Sequence, residues 1–134
     1  MKVLKFGGTS VGSAERMKEV AQLIISDEKQ LIVLSAMSGT TNTLVQIAEQ
    51  LYAKKNSKAN QLIIQLEKKY KQVLSDLFSD PLINKEASAL IDSHFTYIKS
   101  FTQDLFTIHE ERAILAQGEL ISTALFQLYL QEQK

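Results

Sequence analysis

The chain has no cysteine among its 134 residues. That excludes a disulfide framework, thiolate catalysis and zinc–thiolate sites, and it makes the cytoplasm the expected compartment. Net charge is also absent, because fifteen Lys and Arg balance fifteen Asp and Glu. A protein without a basic excess is not expected to take nucleic acid as its main partner. No uninterrupted apolar run approaches the roughly 20 residues that span a bilayer, so no membrane partner is expected. Met1-Lys2-Val3-Leu4 runs straight into a strand pattern and leaves no room for a signal peptide. Two phosphate-binding loops are missing as well. There is no Gly-x-x-x-x-Gly-Lys of a P-loop, and neither the Gly-x-Gly-x-x-Gly nor the His-Arg-Asp of a protein kinase. His94 and His109 lie in helical stretches with no second ligand at metal-binding spacing, so no metal site is expected within this chain.

What is present is ordinary in bulk: 45% hydrophobic and 22% charged residues, enough for one soluble domain with a sizeable core. The informative stretch is Lys5-Phe6-Gly7-Gly8-Thr9-Ser10. It follows apolar Val3-Leu4 and precedes an amphipathic helical pattern, so it reads as a strand-to-helix turn. Paired glycines free the backbone for bends closed to other residues and let a ligand approach the amide groups. With a helix N-terminus behind them, a lysine before them and two hydroxyls after, a phosphate site is one reading. A tight connection in which glycine only relieves crowding is the other, and the turn alone leaves the two level.

In chain order, strand Lys2–Phe6 leads to a helix capped by Ser13, with Glu15 in its first turn and Met17, Val20, Ala21 and Ile24 on a buried face. Leu31-Ile32-Val33-Leu34 has the continuous apolar character of a parallel strand covered on both faces. It ends in Ser35-Ala36-Met37-Ser38-Gly39-Thr40-Thr41-Asn42, and a helix follows from Thr43 to Ala53, burying Leu44, Val45, Ile47, Ala48 and Leu51. Two strands thus end in polar turns that feed helices, and in open parallel sheets such turns lie side by side at the ligand crevice. Ser38, Thr41 or Asn42 is expected to cap the helix; whether they do more stays open. After a loop from Lys54 to Lys58, apolar spacing predicts one helix through Leu62, Leu66, Tyr70, Val73 and Leu77. Asp80-Pro81 stops it, and a second helix runs through Ala87, Leu90, Ile91, Phe95, Ile98, Phe101 and Leu105. The pair reads as an antiparallel hairpin over about 58–108. The basic run Glu67-Lys68-Lys69-Tyr70-Lys71 reads as a solvated helix face. Gly118 interrupts a helical pattern at a cost of about 1 kcal/mol, so a new helix is expected to begin there with Glu119 in its first turn. That carboxylate either binds an ammonium group or only complements the helix dipole.

Three motifs, Lys5 to Ser10, Ser35 to Asn42 and Gly118-Glu119-Leu120-Ile121-Ser122, occur in an order and at distances that resemble the N-terminal part of the aspartokinases, within the amino-acid kinase family. The resemblance covers essentially the whole chain. It implies an α/β fold, the N-terminal part of the carbamate-kinase-like three-layer architecture, with two parallel strands followed by a mostly helical segment. It implies ATP-dependent phosphorylation of the side-chain carboxylate of aspartate, with ATP and Mg2+ as cofactors and a homo-oligomeric full-length enzyme. Lys5 would contact the phosphoryl group in transfer, with Gly7, Gly8, Thr9 and Ser35 around the phosphates. Thr41 and Glu119 would hold aspartate, Glu119 through the α-ammonium. On the same resemblance, residues 1–134 are a catalytic-domain fragment. The nucleotide-binding half, the metal-organising acids and the regulatory domains would lie outside it, and the fragment alone would be inactive. The alternatives are another amino-acid kinase, for acetylglutamate, glutamate or uridylate, and a non-catalytic helical interaction module.

Overall fold

The computed structural model describes residues 1–103 and 105–133. Asp104, inside the expected hairpin span, and Lys134 lie outside the described residues. Seven elements follow in order: β1 (Lys2–Phe6), α1 (Ala14–Leu23), β2 (Gln30–Leu34), α2 (Thr40–Tyr52), α3 (Asn56–Leu77), α4 (Pro81–Ser100) and α5 (Ile108–Glu132). The strands pair in parallel, with Lys2 opposite Gln30 and Phe6 opposite Leu34. Both expected strands are therefore found, and helices make up most of the rest.

Local chemistry sets most boundaries. Ser13 caps α1 by accepting from the Arg16 amide, and Glu15 sits in the first turn, where its charge suits the dipole. Asp80 caps α4 by accepting from the Leu82 amide at 2.9 Å, with Pro81 as the first helical residue. Thr107 and Glu110 form a capping box at the start of α5, and the bond from Thr107 holds the Glu110 carboxyl below its usual range. Lys71 pairs with Asp92 at 2.7 Å and Lys99 with Glu67 at 2.9 Å, an order that makes α3 and α4 antiparallel.

The core gathers Met17, Ile47, Ile63, Tyr70, Phe95 and Ile121, all less than 2% exposed, from every helix. The sheet borders this core on one side only. Ile32 and Leu34 face it, whereas Leu31 is 51% and Val33 41% exposed, so β2 is not covered on both faces as its composition suggested. Val45, expected inside, is also exposed. So is Leu105, at 79%, because α4 closes at Ser100 with Phe101 as its C-cap.

The largest departure is α5, which runs unbroken through Gly118 for 25 residues. Glu119 is therefore in the interior of a helix and not in a first turn. By length and composition α5 would also pass for a membrane span, although charged and polar residues interrupt its apolar runs. Its buried stripe, with Ile114, Ile121, Leu125 and Phe126, packs against α2, α4 and β2 as a core helix.

Candidate active site

The loop from Gly7 to Ser13 joins β1 to α1. It is held from within by the amides of Ser10 and Val11, which both donate to the Gly7 carbonyl at 3.0 and 3.2 Å. Neither Gly7 nor Gly8 has a positive φ, so the expected special backbone is not why glycine stands there. Closeness is the reason at Gly8, where an added Cβ would lie 3.3 Å from the Ala36 carbonyl. At Gly7 the same atom would meet nothing within 4 Å, leaving the main chain open to a ligand. Gly12 is the tightest of the three. A Cβ there would stand 2.7 Å from the Gly8 carbonyl and collide with the Ser38 hydroxyl.

The second turn leaves β2 against the first. The Ser35 amide adds one more rung to the ladder by donating to the Phe6 carbonyl at 3.0 Å, and the Ser38 hydroxyl donates to the Gly8 carbonyl at 3.3 Å. The two turns lie side by side, as expected. Gly39 then takes the left-handed conformation, φ 78°, and serves as the N-cap of α2 with no side-chain hydrogen bond. Ser38, Thr41 and Asn42 therefore do not cap the helix. It opens at Thr40, three residues before the sequence suggested, and the amides of Thr41 and Asn42 have no acceptor among the described residues.

Thr40 explains the early start. Its side chain is fully buried, with Oγ1 2.7 Å from the Tyr70 hydroxyl on α3. Burial pushes the Tyr70 phenol up to about 12, against the smaller downward pull of this bond. The neighbouring Lys69 ammonium donates to the Ser38 carbonyl at 2.6 Å. Two residues of a run that reads as a solvated face thus brace the second turn, which no periodicity in the sequence reveals.

α5 supplies the third wall. Gly118 interrupts nothing because it is needed for contact: an added Cβ would be 2.9 Å from the Ala36 methyl and 3.2 Å from Thr40 Cγ2. One turn on, the buried Ser122 hydroxyl donates to the Ser35 carbonyl at 2.6 Å. His94 Nδ1 and Gln117 Oε1, 2.6 Å apart, join the same stretch to α4, so His94 is a bonded helix-packing residue. Glu119 is exposed and lines an open groove of about 360 Å³ with Ile32, Val33, Leu34 and Leu120.

Lys5 is exposed, and its ammonium makes no hydrogen bond or ion pair among the described residues; its register partner on β2 is Val33. The expected residues thus form two groups. Gly8 and Ser35 meet at the junction of the turns, with Gly7 and Thr9 on either side of Gly8 in the first turn, Lys5 on the last rungs of β1 and Thr41 in the first turn of α2. Glu119 stands across β2, beside Val33, with no hydrogen bond to Thr41. A hollow of about 250 Å³ among Tyr52, Phe101 and Phe106 shares no residue with either group. Among the described residues, no group of three His, Asp or Glu is placed to hold a metal ion.

The model of the amino acid kinase family matches residues 1–134. The chain belongs to that family. Chloroplastic aspartokinase 1 of Arabidopsis thaliana is 34% identical over 140 residues, covering 96% of this chain and 23% of that protein. Lysine-sensitive aspartokinase 3 of Escherichia coli K12 is also 34% identical, over 98% of this chain and 28% of that protein. Among solved structures, E. coli aspartokinase III in complex with aspartate and ADP superposes with a TM-score of 0.68 at 29% identity, covering 99% of this chain and 29% of that one. The chain therefore spans about a quarter of the length of the relatives it matches, and its two parallel strands with five helices have the amino acid kinase fold.

Proposed function

We propose that residues 1–134 form the N-terminal part of the catalytic domain of an aspartate kinase. The enzyme would transfer the γ-phosphoryl group of ATP to the side-chain carboxylate of L-aspartate, the first step toward lysine, threonine and methionine. The observation that carries this reading is the bond from Ser122 to the Ser35 carbonyl, with Gly118 against Ala36. Through them a single helix draws the third motif onto the junction of the first two, so that residues more than 80 positions apart surround one sheet edge.

The chemistry needs little more than such a surround. A carboxylate acceptor is already ionised and requires no general base; what limits the reaction is bringing two anions together and spreading the charge that develops. Lys5, exposed and unpaired, would supply a cation to the phosphoryl group, with the open backbone at Gly7 and Gly8 and the hydroxyls of Thr9 and Ser35 around it. Thr41 and Glu119 would bind aspartate, Glu119 through its ammonium. These groups suit the phosphates of ATP. Bound nucleotide supplies the phosphoryl group, while the residues described here bind and orient. They do not suit a metal ion, Mg2+ included, since no three His, Asp or Glu among the described residues are placed to hold one. The nucleotide-binding half, any regulatory domains and homo-oligomeric assembly are carried by the resemblance, as is a cytoplasmic setting.

The test is direct. The full-length gene product, given ATP and hydroxylamine, should release aspartyl hydroxamate with aspartate and not with glutamate or N-acetylglutamate, and should not phosphorylate uridylate. Turnover of one of those substrates in place of aspartate would keep the family and overturn the substrate.

A further inference from the structure

We propose that Lys69, on α3, is a positioning residue for aspartate: its ammonium clamps the Ser38 carbonyl and so sets where the start of α2 presents Thr41. The proposal rests on the aspartate kinase reading above.

Lys69 differs from the other bonded lysines of the helical hairpin. Lys71 and Lys99 each reach a carboxylate, Asp92 and Glu67, and Lys71 also donates to the Ser88 carbonyl at 3.3 Å. Lys69 reaches a main-chain carbonyl at 2.6 Å, with no carboxylate partner among the described residues. Its Nζ also lies 3.4 Å from where a Cβ of Gly39 would stand, so it sits directly over the N-cap of α2. A cation at a helix N-terminus opposes the dipole, and stability alone would favour a carboxylate there. The dipole therefore does not account for the placement; the bond to the Ser38 carbonyl does.

The geometry around Ser38 shows what that bond holds. This residue is held from both ends, its hydroxyl by the Gly8 carbonyl at 3.3 Å and its carbonyl by Lys69. Gly39 follows in a left-handed conformation, which glycine adopts without cost but which its flexibility does not fix. Next come Thr40, anchored by Tyr70, and then Thr41. Adjacent residues of α3 thus grip the turn on either side of its one free hinge. With Lys69 gone, Ser38 would keep only its long bond to Gly8, and the hinge could swing the first turn of α2.

Lys69→Met in the full-length gene product tests this. A displacement of about 1 Å in a positioning group can cost up to about a hundredfold in rate, so the expected change is a rise of about tenfold or more in the KM for aspartate. The KM for ATP should stay within about twofold, because the Gly7–Gly8 loop is held by its own bonds. Lys69→Arg, which still donates to a carbonyl, should restore much of the aspartate affinity. Amide hydrogen exchange at Thr40 and Thr43, whose amides bond to Met37 and Gly39, should quicken in the methionine variant alone. Unchanged aspartate kinetics in Lys69→Met, or an equal fall for both substrates tracking a lower Tm, would overturn the proposal. If the wild type fails to phosphorylate aspartate, the functional reading falls by itself. The clamp is then decided by exchange at Thr40 and Thr43: quickening sustains it and no change overturns it.

Discussion

Gly118 lies against Ala36 so closely that a Cβ added to the glycine would stand 2.9 Å from the alanine methyl carbon. The contact ties the middle of α5 to the turn after β2, and it accounts for a residue that costs helix stability where it stands. Glycine is retained because two backbones must approach, and the helix passes straight through.

Gly118→Ala is therefore expected to destabilise the protein. Alanine would gain about 1 kcal/mol in helix propensity, but the crowded contacts with Ala36, Thr40 and Leu44 should cost about 1–3 kcal/mol and push α5 outward. Chemical denaturation of the variant, and of Gly118→Ala combined with Ala36→Gly, reads the coupling directly. The second change should recover stability in the double variant while costing stability alone. A stabilised single variant would mean that α5 does not press on this turn.

Tyr70 gives a pH dependence with a defined sign. Its phenol ionises near 12 when folded and near 10 when unfolded, so folding favours the neutral form. That contribution, up to about 2–3 kcal/mol, is whole below pH 10 and is lost as pH rises toward 12. Tyr70→Phe cannot ionise, although it leaves the buried Thr40 hydroxyl unpaired at a cost of about 1–3 kcal/mol. The stability gap between wild type and variant should thus be clear at pH 8 and narrow between pH 10 and 12 in urea unfolding. A constant gap across that range would show that Tyr70 ionises alike in both states.

Much of this fold is legible in the sequence where the signal is local. Strand β1, the Ser13 cap and the Asp80-Pro81 boundary each depend on neighbours within a few positions, and each is found as read. Leu105 departs from its reading for a local reason, the end of α4 at Ser100, but the failures at the sheet and the site share a cause, since each depends on a partner far along the chain. Leu31 and Val33 have strand composition but lie on the side of the sheet without helices, and composition cannot reveal which side that is. Gly118 looks like a break until Ala36 is placed beside it. Lys69 and Tyr70 look solvated until α2 starts beneath them. At the site, the loops could be read and their braces could not.

Lys5 is predicted to act on the rate. Exposed and unpaired, it contributes little to the fold, and Lys5→Ala should leave Tm nearly unchanged. If it stabilises the phosphoryl group in flight, kcat in the full-length gene product should fall on the order of a hundredfold or more, with a much smaller change in the KM for aspartate. Near-normal turnover would return Lys5 to a surface residue at the end of a strand.

Glu119 carries a charge that the helix dipole does not explain. At the start of a helix, its charge could have been explained by the dipole alone. Within unbroken α5 that explanation is gone, because the effect fades beyond the first turn. Glu119 is exposed at the rim of the groove beside Val33, and its carboxylate has no hydrogen-bond or ion-pair partner among the described residues; its main-chain carbonyl accepts from the Ser122 hydroxyl. Glu119→Gln should accordingly shift stability by no more than about 0.5 kcal/mol. If the carboxylate meets the aspartate ammonium, its loss should leave that cation unpaired and weaken aspartate binding by roughly 2–5 kcal/mol, with ATP binding almost unchanged. Calorimetric titration of the full-length variant with each ligand separates the two effects. Equal aspartate affinity in variant and wild type would detach Glu119 from the substrate, and the third motif would then be a packing device, with Gly118 and Ser122 as its working residues.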